Sequence, residues 1–61
     1  MDEHPLLYTA EAAARALSLS RATVFELIAS GELRSIKIGR SRRIPRASLE
    51  DYISRLLAAA N

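Results

Sequence analysis

Residues 36–46 form the densest run of reactive side chains, the stretch IKIGRSRRIPR, with one lysine, four arginines and no acid. Guanidinium groups present several N–H donors in one plane, which suits phosphates and the edge of guanine. Extended back to Arg34, this basic stretch (residues 34–46) holds six of the nine basic residues, while all seven acids lie elsewhere. Such polarity along the chain favours a polyanionic partner. The alternative is a solvated basic loop, and the arginine and alanine content can equally reflect a GC-rich genome.

Side chains suited to catalysis or metal binding are scarce. The chain has no cysteine and a single histidine, His4, so neither a thiolate site nor a histidine pair is available. No glycine-rich phosphate loop is present, and the adjacent Glu50 and Asp51 cannot face one site from a helix. We therefore expect no enzyme activity, no metal, no cofactor and no small-molecule ligand.

The length of 61 residues allows one small domain, which buries only about 60% of the surface of its unfolded chain. We predict an irregular N-terminal arm over residues 1–8 and a single domain over residues 9–61. Acidic residues follow Met1, and no apolar run approaches the roughly 18 residues of a membrane span, so neither a secretory signal nor a membrane segment is expected. These features predict a cytoplasmic protein.

Two short helices are predicted in the first half of the domain. Thr9 is a suitable N-cap for a helix over residues 10–17, whose contact face is mostly alanine. Ser20 is a suitable N-cap for a second helix over residues 21–30, and Gly31 follows where a left-handed residue would end it. Ser18 stands where glycine would be easier, which predicts slight strain.

A hairpin and a third helix are predicted in the second half. Ile36 and Ile38 share one strand face, residues 39–41 supply the turn, and residues 42–44 return as a second strand that Pro45 ends. The hairpin isoleucines are expected to complete the core. A third helix over about residues 46–59 carries a continuous apolar stripe made of Leu49, Tyr52, Ile53, Leu56, Leu57 and Ala60.

Two helices separated by three residues fit a helix-turn-helix, in which the second helix enters the major groove of DNA. Its outward side chains would be Arg21, Ala22, Thr23 and Glu26. Arg21 could contact a guanine edge or a phosphate, whereas Ser20 and Thr23 suit phosphate. The alternative is an ordinary helical hairpin with a polar outer face.

A basic hairpin after a helix-turn-helix is the arrangement called a wing. Arg40, at the turn beside Ser41, is best placed to reach a minor groove. Lys37 and Arg43 would point away from the isoleucine face towards phosphate, whereas Arg42 would share that face and pack its aliphatic stem. Arg46, in the first turn of the third helix, opposes the helix dipole and would become favourable with a phosphate bound there.

Nearly the whole chain, from LLYTAEAAARALSLSRATVFELIASGEL through IKIGRSRRIPRASLEDYI, resembles the excisionase-type, MerR-like winged helix-turn-helix family. The motifs that carry the resemblance are the Thr-x-Glu-Ala-Ala start, Ser-Arg-x-Thr-Val, Gly-Glu-Leu and Lys-Ile-Gly-Arg before Arg-Ile-Pro-Arg. It implies DNA contacts by Ser20, Arg21, Thr23, Lys37, Arg40, Arg42 and Arg43. Phe25 replaces a frequent tyrosine and Glu26 a frequent basic residue.

The resemblance implies a phage excisionase, a recombination directionality factor that binds repeated DNA sites cooperatively, bends DNA and helps a tyrosine integrase excise the element. The expected fold is mainly α with a small β-hairpin: helix-turn-helix, two-stranded wing and C-terminal helix. Double-stranded DNA, an integrase and neighbouring copies are the expected partners, in the nucleoid of a bacterial host. The absence of a predicted effector domain favours excision. A small transcriptional regulator of the same fold and a protein-binding module remain as alternatives.

Overall fold

The computed structural model describes residues 5–60 and shows three helices and a small antiparallel sheet. In chain order the elements are β1 (Leu7–Tyr8), α1 (Ala10–Leu17), α2 (Arg21–Ser30), β2 (Ile36–Ile38), β3 (Ser41–Pro45) and α3 (Arg46–Ala60). The predicted fold class, a winged helix-turn-helix, is confirmed. The two predicted short helices have the predicted bounds, and α3 extends one residue beyond its predicted end.

The turn between α1 and α2 depends on Ser18. Thr9 caps the start of α1, where its hydroxyl oxygen accepts a hydrogen bond from the amide of Ala12 at 3.0 Å. Ser18 ends the helix in the left-handed conformation, with φ of 59°, and its amide donates to the Arg15 carbonyl at 3.2 Å. For a residue other than glycine, the left-handed conformation costs about 1 kcal/mol of free energy. The strain predicted at this turn is therefore confirmed.

The exit from α2 is fixed by Gly31, as predicted. Gly31 has φ of 87°, and its amide donates to the Ile28 carbonyl at 3.2 Å. Two residues later the amide of Leu33 donates to the Leu27 carbonyl at 3.1 Å, and the Leu33 side chain is buried. The end of α2 is therefore tied directly to the core.

The N-terminal segment is not irregular at its end, which corrects the prediction for that part of residues 1–8. Leu7 and Tyr8 form β1 and pair antiparallel with Pro45 and Ile44 of β3. The backbone groups of this segment find ladder partners on β3, which no local pattern in the sequence indicates. Residues 1–4 of the predicted arm, which include His4, lie outside the described residues.

The hairpin turn has two residues, not the predicted three. Ile38 pairs with Ser41, so only Gly39 and Arg40 form the loop. Gly39 has φ of 61° while Arg40 does not have positive φ, which is the pattern of a type II′ turn. This turn matches the twist of antiparallel strands and is favoured for that reason.

Shortening the turn by one residue exchanges the faces of the hairpin, because side chains alternate along a strand. Lys37 pairs with Arg42 and therefore lies on the same face as Ile44, which is fully buried. Ile36 pairs with Arg43, and both lie on the opposite face. Arg42 therefore shares the face of Ile44, as predicted, and Arg43 lies on the other face of β3, but their placements relative to the isoleucines of β2 are the reverse of the prediction.

The hydrophobic core lies between the helices and one face of β3. Its buried members are Ala13, Ala14, Val24, Leu33, Ile44, Leu49 and Tyr52. The prediction that both isoleucines of β2 complete the core is wrong, since Ile36 is 43% exposed and Ile38 51%. Of the three hairpin isoleucines, Ile44 alone is buried.

The apolar stripe of α3 is buried only in its first half. Leu49 and Tyr52 belong to the core, but Ile53 is 43% exposed, Leu56 50% and Leu57 63%. The later turns of this 15-residue helix therefore carry apolar side chains that are at most partly covered, although Arg55 on the same turns contacts the connection that follows α2. The interpretation of the stripe as part of the core is therefore confirmed for Leu49 and Tyr52 and wrong for Ile53 and Leu56.

Truncation of Ile44 should destabilise the protein much more than truncation of Ile53. Ile44→Ala removes a fully buried side chain and should lower the free energy of unfolding by about 2–5 kcal/mol. Ile53→Ala truncates a half-exposed side chain and should cost less than about 1 kcal/mol. Urea denaturation followed by circular dichroism measures both, and equal losses would contradict this description of the core.

Candidate nucleic-acid interface

The N-terminus of α2 is organised by two hydroxyl groups. The Ser20 hydroxyl oxygen accepts from the amide of Thr23 at 3.1 Å, and the two hydroxyl groups lie 2.8 Å apart and share a hydrogen bond. Ser20 is exposed and Thr23 half-buried. Both side chains predicted to contact phosphate are therefore also the cap of the helix, and each hydroxyl oxygen keeps further hydrogen-bonding capacity.

Arg21 and Glu26 are exposed on α2, as their predicted role requires. The guanidinium carbon of Arg21 lies 5.3 Å from the centre of the Phe25 ring, within cation–π distance. Phe25 thus supports the arginine at the start of the helix, a function that sequence analysis missed. The i, i+4 spacing of the two residues could have revealed it.

The wing presents its cations in different directions. Arg40 is exposed at the tip, in the two-residue turn. Lys37 and Arg42 share the face of Ile44, and Arg42 donates from Nη1 to the Ser35 hydroxyl at 2.8 Å. Ser35 was not identified from the sequence, because its contact with Arg42 follows from the hairpin register rather than from local spacing.

Arg43 and Ser41 lie on the opposite face of β3, beside the exposed isoleucines of β2. Arg43 donates from Nη1 to the carbonyl of Arg42 at 3.0 Å, so its guanidinium lies back along its own strand. Both residues are half-buried. The wing therefore has cations on both faces and at its tip.

Arg46 already has partners at the start of α3. Its amide donates to the Leu6 carbonyl at 2.8 Å, and its Nε lies 3.9 Å from a carboxylate oxygen of Glu50. Since both groups are largely exposed, this ion pair contributes little to stability and is weakened by salt. A phosphate at this position would have to share Arg46 with Glu50.

These side chains together form a basic surface with no acid between residues 34 and 46. Exposed cations with few acids near them attract anions. This attraction extends over about a Debye length, roughly 8–10 Å at physiological salt. The arrangement can bind phosphates through guanidinium groups on the wing and through hydroxyls at the start of α2. Which of these side chains contact a nucleic acid stays a prediction.

Comparison with known proteins agrees with this architecture. A protein-family model described as a helix-turn-helix domain matches residues 7–56, which include every strand and helix of the fold apart from the last residues of α3. The chain belongs to the helix-turn-helix domain family. No solved structure matches.

A curated relative from Saccharopolyspora erythraea, named probable excisionase, is 51% identical over 53 residues. The alignment covers 87% of this chain and 54% of the relative. This helix-turn-helix chain therefore spans about half the length of the curated relative that it matches. The predicted resemblance to an excisionase-type helix-turn-helix family is confirmed.

The described residues of this helix-turn-helix domain contain neither a metal-binding cluster nor a membrane-spanning helix. Within residues 5–60, no group of three or more histidine, cysteine, aspartate or glutamate side chains is arranged to hold a metal ion. In the same part of the chain, no helix is both long enough and apolar enough to cross a membrane.

Removal of the α2 cap should lower the stability of the protein, whereas removal of a cation from the tip of the wing should not. Ser20→Ala deletes the acceptor of the Thr23 amide and should lower the free energy of unfolding by about 1 kcal/mol. Arg40→Ala, at the exposed tip of the wing, should leave it unchanged within about 0.5 kcal/mol. Thermal melts of the two variants measure the difference, and a large loss for Arg40→Ala would show that the tip supports the fold.

Proposed function

We propose that this protein is a sequence-specific DNA-binding excisionase, a recombination directionality factor. The observation that carries the proposal is the basic stretch (residues 34–46), which contains the wing and holds six basic residues and no acid. It follows α2, whose N-terminus is exposed and capped by a hydroxyl. The relationship to a protein named probable excisionase supports the choice of this function among those of helix-turn-helix proteins.

In the proposed complex, α2 enters the major groove of double-stranded DNA by its N-terminus. Arg21 faces a guanine edge or a phosphate, Glu26 accepts from a cytosine amine, and Ser20 and Thr23 contact phosphate. The carboxylate of Glu26 penalises any placement close to phosphate, so this residue selects against some sequences as well as for others.

The wing makes the second set of proposed contacts. Arg40 enters the adjacent minor groove, whose negative potential is strongest in A·T tracts. The remaining wing side chains approach the phosphates on both sides of that groove: Lys37, Ser41, Arg42, Arg43 and Arg46. The cations supply most of the affinity through release of counterions, while α2 supplies most of the base selection.

Several finer steps belong to the same proposal. One domain of this size covers few base pairs, so specificity requires several copies on repeated sites. Contacts between neighbouring copies would make binding cooperative and stabilise bent DNA, and the assembly would assist a tyrosine integrase in excising a phage genome. The half-exposed Ile53 and Leu56 on the later turns of α3 offer apolar surface for such contacts. This activity would place the protein at the nucleoid of a bacterial cell.

A salt titration tests DNA binding. Fluorescence anisotropy on a duplex that contains the site should give a log–log slope of about −4 to −5, because four to six phosphates are contacted per copy. Arg40→Ala should reduce the affinity and make the slope shallower by about one unit. Arg15→Ala on α1 is the matched control and should change neither quantity. A slope near zero for the wild type would remove the support for this function.

Footprinting on DNA with one site and with several sites tests cooperative assembly. Wild-type protein should protect several neighbouring sites at a lower concentration than an isolated site. Leu56→Glu places a charge on the exposed face of α3 and should abolish that advantage while affinity for the isolated site stays within about twofold. Equal midpoints for one site and for several sites in the wild type would contradict cooperative binding.

A further inference from the structure

Residues 31–35 connect α2 to β2, and we call this segment the connector. It joins the two elements that the proposed function places on DNA, and together with the packing of α1 against both α2 and β3 it sets the angle between them. The connector has no regular secondary structure, and its central residue Leu33 is buried and bonded through its amide to the Leu27 carbonyl. That bond secures the middle of the connector to α2, and the residues on either side depend on other contacts.

Arg55 of α3 holds the connector beside Gly31. Its Nη2 donates a hydrogen bond to the backbone carbonyl of Glu32, 23 positions away in the sequence. Its Nε donates to the carboxylate of Asp51 at 3.1 Å, one turn earlier in the same helix. Its guanidinium carbon also lies 6.0 Å from the centre of the buried Tyr52 ring. Asp51 and Tyr52 therefore orient Arg55 so that its Nη2 is directed at the connector.

This contact links two separate parts of the molecule. α3 begins at Arg46 directly after β3 ends at Pro45, and the two elements pack against one another, so α3 is attached directly to the wing. Glu32 belongs to the exit of α2. The hydrogen bond from Arg55 to Glu32 consequently ties the unit that carries the wing to the helix that reads DNA.

A second arginine holds the other end of the connector. Arg42 of β3 donates from Nη1 to the hydroxyl of Ser35 at 2.8 Å. The connector is thus attached near its start by α3 and at its end by the wing itself. Arg55 differs from Arg42 because it lies outside the basic stretch and is not among the side chains proposed to contact DNA.

We propose that Arg55 is a positioning residue that sets the angle between α2 and the wing. This inference rests on the proposed DNA-binding function for its consequence, which is that major-groove and minor-groove contacts are made together only when the angle is correct. Loss of the contact leaves each set of DNA-contacting side chains intact but no longer aligned with the other.

The first test needs no DNA. Residual dipolar couplings of backbone amides in the complete ¹⁵N-labelled chain report the orientation of α2 relative to β2 and β3. In the wild type, one alignment tensor should fit both groups of amides. In Arg55→Ala the two groups should require different tensors, whereas Arg15→Ala, which removes an exposed arginine of α1, should still fit one.

The second test measures binding. Arg55→Ala should weaken specific DNA binding by about tenfold, with the slope of the salt titration unchanged because no phosphate contact is lost. Arg15→Ala, which also removes one arginine, should stay within twofold of the wild type. Arg55→Lys, which keeps the positive charge but not the planar fork, should not restore full affinity.

Two results would overturn the proposal. One is a single alignment tensor for Arg55→Ala together with wild-type affinity; the other is a shallower salt slope, which would make Arg55 a direct phosphate ligand. If Arg55→Ala does not fold, Arg55→Lys and Arg55→Gln provide the same two measurements. If the wild type does not bind DNA, the proposed function fails, while the orientation measurement still decides whether Arg55 positions the wing.

Discussion

The burial of Ile44 is the interaction on which the arrangement of the whole molecule depends. Ile44 lies on the central strand of the sheet, pairs with Tyr8 on one side and has no exposed surface. Its side chain is the contribution of the wing to the core, and β3 is in turn packed against α1 and α3. Because alternate side chains point to opposite faces, fixing Ile44 inward also fixes the direction of every cation on that strand.

The basic stretch concentrates positive charge with no acid among its own residues, and this charge destabilises the fold only weakly. Exposed like charges repel weakly in water and are screened further by salt. Within residues 5–60, the ion pairs of Arg46 with Glu50 and of Arg55 with Asp51 lie on α3 rather than on the strands of the wing. The wing therefore keeps its charge available for a polyanion while the apolar contacts of β3 maintain its position.

Folding and recognition share side chains at the start of α2. Ser20 and Thr23 complete the helix cap through one shared network, and the same hydroxyls face the surface proposed for DNA. Arg21 lies against Phe25, which limits the conformations that it must lose on binding. The start of the helix proposed to read DNA is thus organised by contacts between side chains about one turn apart. The left-handed Ser18 in the preceding turn shows that the tight approach of α1 and α2 is maintained against a local conformational cost.

Much of the fold could be predicted because its causes are local. The bounds of α1 and α2 follow from Thr9, Ser20 and Gly31, whose capping bonds reach only a few residues along the chain. The asymmetric charge of the basic stretch is likewise a property of the sequence, whatever the fold. The family resemblance rested on these same local motifs, which is why it was reliable.

Other features were decided only by tertiary structure. A difference of one residue in the turn at Gly39 exchanged the faces of the hairpin and exposed Ile36 and Ile38, since a strand repeats every two residues and local pattern does not fix its register. The apolar period of α3 was visible in the sequence, but how far a partner surface extends along that helix was not. The contact of Arg55 with Glu32 joins positions 23 apart. Sequence by itself determined where helices begin and end and where charge accumulates, because those depend on neighbours in the chain; packing between distant segments determined which side chains are buried and which are aimed outward.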